Sequence, residues 1–382
     1  GLSSIQAKAA EFVAMVVSVK SRFTRRTRWF CGVMTALSIP LGSGCTPMRE
    51  YVHNGFKVGP QYAKPPAPVA EQWIEGADTR VSANSDEHRK WWSSFKDPNL
   101  DSLICMASQQ NLSLREAGFR VLASRAKLAI SVGEFFPQQQ SFNAGFLQYG
   151  LSTAVANRQF IAQAYYPLWN YGAGLAWELD FWGRYRRAIE AASNSLDASI
   201  ESYDNMMVIL LGDVAESYIR MRFFENQAEI AQSVAAFQKE SLTIAQARFR
   251  GGLTSEVDVD QAQADLSKTL SEVPNYQAYA RIENNRLCNL LGIAPEDLEK
   301  KVGKGPIPSA GNEVVAGVPA ELLARRPDIR QAERQAAEAC ANIGVATSEL
   351  YPHISIVGNF GWAALNYGNL YTPQAFTGSV GP

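Results

Sequence analysis

The chain has 382 residues, with 37 acidic and 36 basic side chains, three histidines and a formal net charge of −1. So even a balance leaves no broad positive field for nucleic acid or acidic lipid, and polyanion binding is excluded as the theme. Charged residues make up 19% of the chain against about 25% in ordinary soluble domains, hydrophobic residues 46%, and 28 glycines with 18 prolines are too few for a disordered or collagenous protein. The length suits two or three domains or one large elongated body.

Arg22, Arg25, Arg26 and Arg28 precede an apolar run from Trp29 to Leu41, which exits through Gly42, Ser43, Gly44 and Cys45. A basic segment, a short apolar segment and a small-residue exit are what an export signal needs. The run is about 13 residues, short of the roughly 20 that cross a bilayer as a helix. Residues 1–44 therefore read as a leader, the first 20 being a misplaced start or an unusually long extension. The Gly44-Cys45 exit resembles the bacterial lipoprotein signal, in which the cysteine is lipidated and becomes the first mature residue. Thr46 after it resembles the pattern that sorts to the outer membrane. A lipid on Cys45 would tether the protein without making it span.

Five cysteines, at 31, 45, 105, 288 and 340, follow no metal spacing and no disulfide framework. Those at 105, 288 and 340 sit in helical apolar patterns and read as buried thiols. His53, His88 and His353 are isolated, without a nearby cysteine or carboxylate set, and no glycine-rich phosphate loop occurs. No catalytic residue, metal site or cofactor is expected.

From Lys57 to Trp73 the chain is proline-rich and aperiodic, hence extended and semi-rigid, and Asp78 to Lys90 continues the irregular region. Residues 45–96 are thus expected to be an anchor and linker. A helix is expected from Asp97, with Asp97 as cap and Pro98 at its first position, carrying an apolar stripe from Leu100 to Ile130 and reaching about Gly133. The period then changes to two. A strand at about 137–149 alternates Phe142, Ala144 and Phe146 with Asn143 and Gly145. A cleaner one at about 167–182 puts Trp169, Tyr171, Ala173, Leu175, Trp177, Leu179 and Phe181 on one face, and Asn170, Gly172, Gly174, Ala176, Glu178 and Asp180 on the other. An aromatic-ended apolar face opposite a polar one suits a transmembrane barrel strand, although a water-soluble sandwich strand gives the same alternation. Leu151 to Tyr165, between the two, reads as an exposed loop.

Arg184 to Arg250 contains no proline and one internal glycine, Gly212, so at 1.5 Å per residue it predicts a helix of roughly 100 Å. Gly251 and Gly252 end it. A second helix starts around Thr254 and Ser255, where Ser255 and Asp258 have capping-box spacing, and runs past a bend at Pro274 to Leu291 and Gly292. The result is a long antiparallel hairpin over 184–291, projecting far from the strands. Arg184, Arg186 and Arg187 mark the periplasmic end of the strand or form a solvated charge run.

The chain also repeats itself at an offset of 215 residues: Leu114-Arg115-Glu116-Ala117 aligns with Ile329-Arg330-Gln331-Ala332, Ala126 with Ala341, and Phe136-Pro137 with Tyr351-Pro352. In the second copy His353, Ser355, Val357 and Asn359 alternate with Ile354, Ile356, Gly358 and Phe360. Helix, aromatic-proline junction and strand thus occur twice, which is an internal duplication. Residues 97–300 form the first repeat and 301–382 a linker and an incomplete second repeat, stopping at the start of a fourth strand. Three or four strands cannot close a barrel, and open edges are not tolerated in lipid, so several chains must share one.

The stretches VGPQYAKPPAP at 58–68, WWSSFKDPNLDSLI at 91–104, WELDFWGRYRRAIEAA at 177–192, FRGGLTSEVDVDQAQADL at 249–266, NRLCNLLG at 285–292 and VPAELLARRPDIRQAER at 318–334 carry a resemblance. With the Gly44-Cys45 exit, they make the chain similar to the outer-membrane efflux protein family, of the TolC and OprM type, and within it to the NodT-like lipoproteins. The resemblance implies a mainly α fold with transmembrane β: duplicated long helical hairpins forming a periplasmic barrel, and strands given to a shared outer-membrane barrel. It implies a homotrimer working with a periplasmic adaptor and an inner-membrane pump of the resistance-nodulation-division type, as a passive exit duct for drugs and other small toxic solutes. Neither enzyme activity nor a cofactor is needed. Gly252, Leu253 and Thr254 match the periplasmic tip, where adaptor contact is expected, and Asp258 matches a position near the constriction that closes the tube. A solvated helix-cap carboxylate is the alternative for Asp258. Arg325, Arg326, Pro327 and Asp328 match a helix-start signature. Other readings are a structural or adhesive outer-membrane protein with a helical stalk, or a fragment that does not assemble.

Overall fold

The computed structural model describes residues 47–66, 81–82, 88–152, 154, 163–310, 314–315 and 323–382. The leader and Cys45 lie outside the described residues. The elements are α1 (Met48–His53), β1 (Val81–Ser82), α2 (Pro98–Gln110), α3 (Leu112–Glu134), β2 (Gln139–Gly150), β3 (Tyr165–Glu178), α4 (Arg184–Arg250), α5 (Glu256–Leu290), α6 (Glu299–Val302), β4 (Val314–Val315), α7 (Pro327–Ser348), β5 (Ser355–Ala364) and β6 (Phe376–Gly381). Two compact units divide them. One takes the described residues up to Tyr62 with Ile130–Ala191 and Ala339–Pro382; the other takes Ala63–Ala129 and Ala192–Glu338.

The duplication is realised in the fold. Helix α3 starts at Leu112 and α7 at Pro327, the 215-residue offset, and each leads through an aromatic-proline junction into a strand. The strands form one antiparallel sheet in the order β2-β3-β5-β6, so the two copies meet where β3 pairs with β5. Helix α4 runs over 67 residues between the expected bounds, and α5 carries Pro274 inside it.

The expected single helix over 97–133 is instead two. Asn111 leaves the helical conformation (φ −59°, ψ 126°), its Oδ1 accepts the Leu114 N–H (2.8 Å) as a cap for α3, and its Nδ2 donates to Leu290 O (2.8 Å) at the end of α5. An asparagine offers the backbone this alternative to helix continuation. Asp97 caps α2 as expected, accepting from Asn99 N–H (2.8 Å), while its other oxygen accepts the Tyr218 hydroxyl (2.9 Å) of α4. Leu100, Leu103, Ile104 and Ala107 of α2 then bury against Leu210, Val214 and Met221 of α4 and Leu287 and Leu291 at the end of α5, the main core of that unit. Gly292 adopts φ +68° and a Cβ there would lie 2.7 Å from Gln110 O, so only glycine lets these two helix ends meet. Cys288 is buried and Cys340 half-buried, but Cys105 is exposed, because it faces away from the α2 stripe. A two-residue parallel pair, β1 with β4, lies within segments expected to be irregular, since two residues carry no readable period.

Strand β3 ends at Glu178 rather than 182, and Asp180 explains why. Its carboxylate accepts the N–H groups of Tyr185 (2.9 Å) and Arg186 (3.1 Å), capping α4, and pairs with Arg186 Nε (2.7 Å). Arg186 and Arg187 are no solvated charge run. Arg187 is fully buried and donates to Val58 O (3.1 Å), Gly59 O (3.0 Å) and Glu190 (2.9 Å); Arg186 donates to Gly55 O and Phe56 O, both at 2.7 Å. The strap from Tyr51 to Pro60 is thereby tied by its main chain, with Tyr51 donating its hydroxyl to Phe181 O (2.6 Å) and Lys57 pairing with Glu190 (2.9 Å). Gly59 packs so close to Gly344 of α7 that a Cβ on it would lie 2.5 Å from the facing Cα.

Two outcomes follow from these contacts. Asp97→Ala removes a helix cap and the partner of a buried phenol, so thermal or denaturant unfolding should show a loss of about 1–2 kcal/mol. Burial pushes the Glu190 carboxyl up, but Lys57 and Arg187 outweigh it and hold the carboxyl below its ordinary value. A depressed folded value contributes stability above the unfolded carboxylate range that is lost as pH falls through it. Limited proteolysis should therefore cut the strap faster on acidification below about pH 4, Arg187→Met should expose it already at neutral pH, and Glu190→Gln should flatten the acid dependence.

Candidate functional site: the strand sheet, its base and the hairpin tip

The register sorts the sheet into two chemically distinct faces. Tyr171, Trp362 and Phe376 stand directly opposite one another across β3, β5 and β6, the first two stacked with ring centroids 5.0 Å apart and Trp362 and Phe376 at 5.5 Å. Phe146 and Trp169 (4.5 Å) extend this face across β2, and Tyr367 and Tyr371, after β5, pack on Trp169 and Tyr171. Phe142 is 75% exposed and Val380 81%, so in the single chain this apolar face lies open.

The opposite face is small and polar. Ser141, Gly174, Asn359 and Ser379 form one row across the four strands, and Asn143, Gly172, Gly361 and Thr377 the next. Ser379 donates its hydroxyl to the Asn359 amide oxygen (3.1 Å), and a concavity of about 620 Å³ lies along Gln139, Ser141, Asn143, Asn170, Asn359 and Thr377. The aromatic face thus backs rows of small and polar side chains, the arrangement of a strand wall with lipid outside and water inside. Among the described residues no helix is long and apolar enough to cross a membrane.

At the base of this face the structure corrects the reading of His353 as isolated. Its Nδ1 lies 2.8 Å from Glu178 Oε1 and its Nε2 3.4 Å from Glu349 Oε2. Arg184 pairs with both carboxylates, at 2.9 Å to Glu349 and 3.3 Å to Glu178, and Tyr185 donates its hydroxyl to Glu178 (3.1 Å). Burial first, then the facing Glu178 carboxylate, pushes the Tyr185 phenol up to about 12, so it remains a donor. Glu178 lies 175 residues from His353 in the chain, which hides the pairing; the four-residue spacing of Glu349 and His353 was the one sequence signal.

At the hairpin turn, Gly252 takes φ +72°, and the Leu253 N–H returns to Arg248 O (2.9 Å) to close α4. The capping box is present: Asp258 accepts the Ser255 N–H (3.1 Å) and the Ser255 and Thr254 hydroxyls, which hold its carboxyl below the ordinary value. Asp258 is therefore an exposed helix-cap carboxylate within this chain. Leu253 is 81% exposed and Val257 72%, an apolar tip with nothing over it among the described residues. Helix α7 starts at Pro327 with Asp328 in its first turn, as a helix-start signature implies, and Arg326 pairs with Asp328 (2.7 Å).

Residues 103–293 match the family described as outer membrane efflux protein. Nodulation protein T of Rhizobium leguminosarum bv. trifolii is 31% identical over 341 residues, covering 87% of this chain and 70% of that protein. A solvent efflux pump outer membrane protein of Pseudomonas putida, SrpC, is 33% identical over 339 residues, covering 86% of this chain and 70% of its own length. Among solved structures, the outer-membrane channel OprN superposes with a TM-score of 0.77 at 32% identity, covering 85% of this chain and 72% of that one. The two-faced sheet, the long hairpin and these likenesses agree, and the chain belongs to the outer membrane efflux protein family, as an outer-membrane efflux channel that conducts passively and is not an enzyme.

Proposed function

We propose that the protein is the outer-membrane exit duct of a tripartite efflux system, assembled as a homotrimer that gives four strands per chain to one twelve-stranded barrel. The observation that carries this is the sheet itself: it is apolar on one face, polar on the other, and the outer edges of β2 and β6 are unpaired among the described residues. Edges of this kind must pair with further strands when the apolar face meets hydrocarbon. The helices support the same reading. Phe223, Ile230, Phe237 and Ile244 recur every seven residues along α4 and are 43%, 48%, 71% and 51% exposed, an apolar seam that calls for neighbouring helices in the periplasmic wall.

The solutes are drugs or other small toxic compounds, a class supported by relatives named for solvent and antibiotic efflux. Energy comes from an inner-membrane pump of the resistance-nodulation-division type. A periplasmic adaptor docks on Gly252, Leu253 and Thr254, where Leu253 supplies an exposed apolar anchor. Three symmetry-related copies of Asp258 repel one another where the tube narrows, so their screening or separation accompanies opening. Cys45 carries the lipid that fixes the chain to the membrane.

Intact mass and sizing of the native protein, extracted from outer membranes, should give a trimer with the mass of a lipid-modified Cys45; an unlipidated monomer would overturn both the anchor and the shared barrel. Leu253→Glu should abolish capture by the adaptor while leaving the trimer intact. Asp258→Asn keeps an acceptor for the Ser255 cap and removes the charge, so it should raise the single-channel conductance of the reconstituted trimer; unchanged conductance would remove Asp258 from the gate.

A further inference from the structure

The distribution of charge over the sheet is uneven. Glu178 is the single Asp, Glu, Lys, Arg or His in the four strands, and it stands at the last position of β3 on the polar face. Above it that face offers Ala176, Gly174, Ser141, Asn359, Asn143 and Asn170, all neutral. Its surroundings gather further charge: Arg184 and the Tyr185 hydroxyl from the start of α4, Glu349 just after α7, His353 just before β5, and Glu134 at the end of α3, which acts on Tyr185 at longer range. Solvent reaches them, since the side chains of Glu178, Arg184, His353 and Glu349 are 23%, 36%, 42% and 46% exposed.

From this placement we infer that the Glu178, Glu349, Arg184 and His353 set is the charge filter of the strand part of the duct, and that its excess of carboxylate favours cations. The inference rests on the reading of the polar face as the solute path. A neutral polar wall lets the first charged groups at its end dominate the local potential, as rings of charged side chains do in other pores. The set holds two carboxylates against one guanidinium, with the His353 ring spanning Glu178 and Glu349. Around an assembled pore that excess of carboxylate is multiplied by the number of chains. Cations are therefore preferred over anions, while neutral solutes pass unselected.

The test is the reversal potential of the native channel, purified from outer membranes and reconstituted in planar bilayers under a potassium chloride gradient at neutral pH. The cation-to-anion permeability ratio should exceed one. Glu349→Gln should bring the ratio toward one without disturbing β3, and Arg184→Gln should raise it; the hairpin-tip carboxylates are the same in all three proteins, so the comparison isolates the base of the sheet. A ratio insensitive to both substitutions, or a wild-type channel that prefers anions, would overturn the filter. Absence of any conductance from folded protein would instead overturn the duct on which the filter rests.

Discussion

A strand in hydrocarbon has to satisfy every backbone N–H and C=O within protein, and that single constraint organises this molecule. The sheet β2-β3-β5-β6 meets it internally at its three seams and leaves it open at the outer edges of β2 and β6. In the proposed assembly, shared closure of a barrel answers the open edges and gives a lipid-facing place to apolar side chains as exposed as Phe142 and Val380. Duplication supplies the strands economically: two copies of helix, junction and strand pair meet at β3 and β5, so a short repeat yields twice the wall.

Where strands give way to helices, arginine takes over as the organising residue. The run from Arg184 to Arg187 serves three unlike purposes. Arg184 pairs with both carboxylates at the base of the polar face, Arg186 joins the Asp180 cap to the strap, and Arg187 is buried outright against strap carbonyls and Glu190. A guanidinium suits this work because its planar fork can satisfy several acceptors at once and does not lose its charge on burial. The glycine pair Gly59 and Gly344 completes the strap by removing the side chains that would hold it away from α7. These contacts fix the strap beside the base of the strands.

The same transition divides neutral from charged surface. Small uncharged side chains on the polar face give water a path with little preference for any solute, consistent with a family whose channels serve solvents, antibiotics and other unlike cargo in different relatives. Carboxylates close to hydroxyl or cationic partners are found instead at the base of the sheet and at the hairpin tip.

Much of this was legible from the sequence, because it depends on short-range rules. The absence of proline from 184 to 250 set α4, the glycines at 251 and 252 set the turn, Ser255 with Asp258 set the cap, and the alternation from Trp169 to Trp177 set the two faces of β3. Local competition was harder to see: Asn111 breaks one expected helix into two, because its amide finds better partners in Leu114 and Leu290 than continued helix offers. Long-range pairing was not visible at all. Nothing adjacent to His353 in the chain announces Glu178, and nothing in the basic run after β3 distinguishes the buried Arg187 from a solvated arginine. The sequence by itself determined the elements, the duplication and the chemistry of each face, since these follow from periodicity and backbone preference. Only the tertiary structure decided which charges meet, which arginine is buried and which glycines touch, because those depend on distances between segments more than a hundred residues apart.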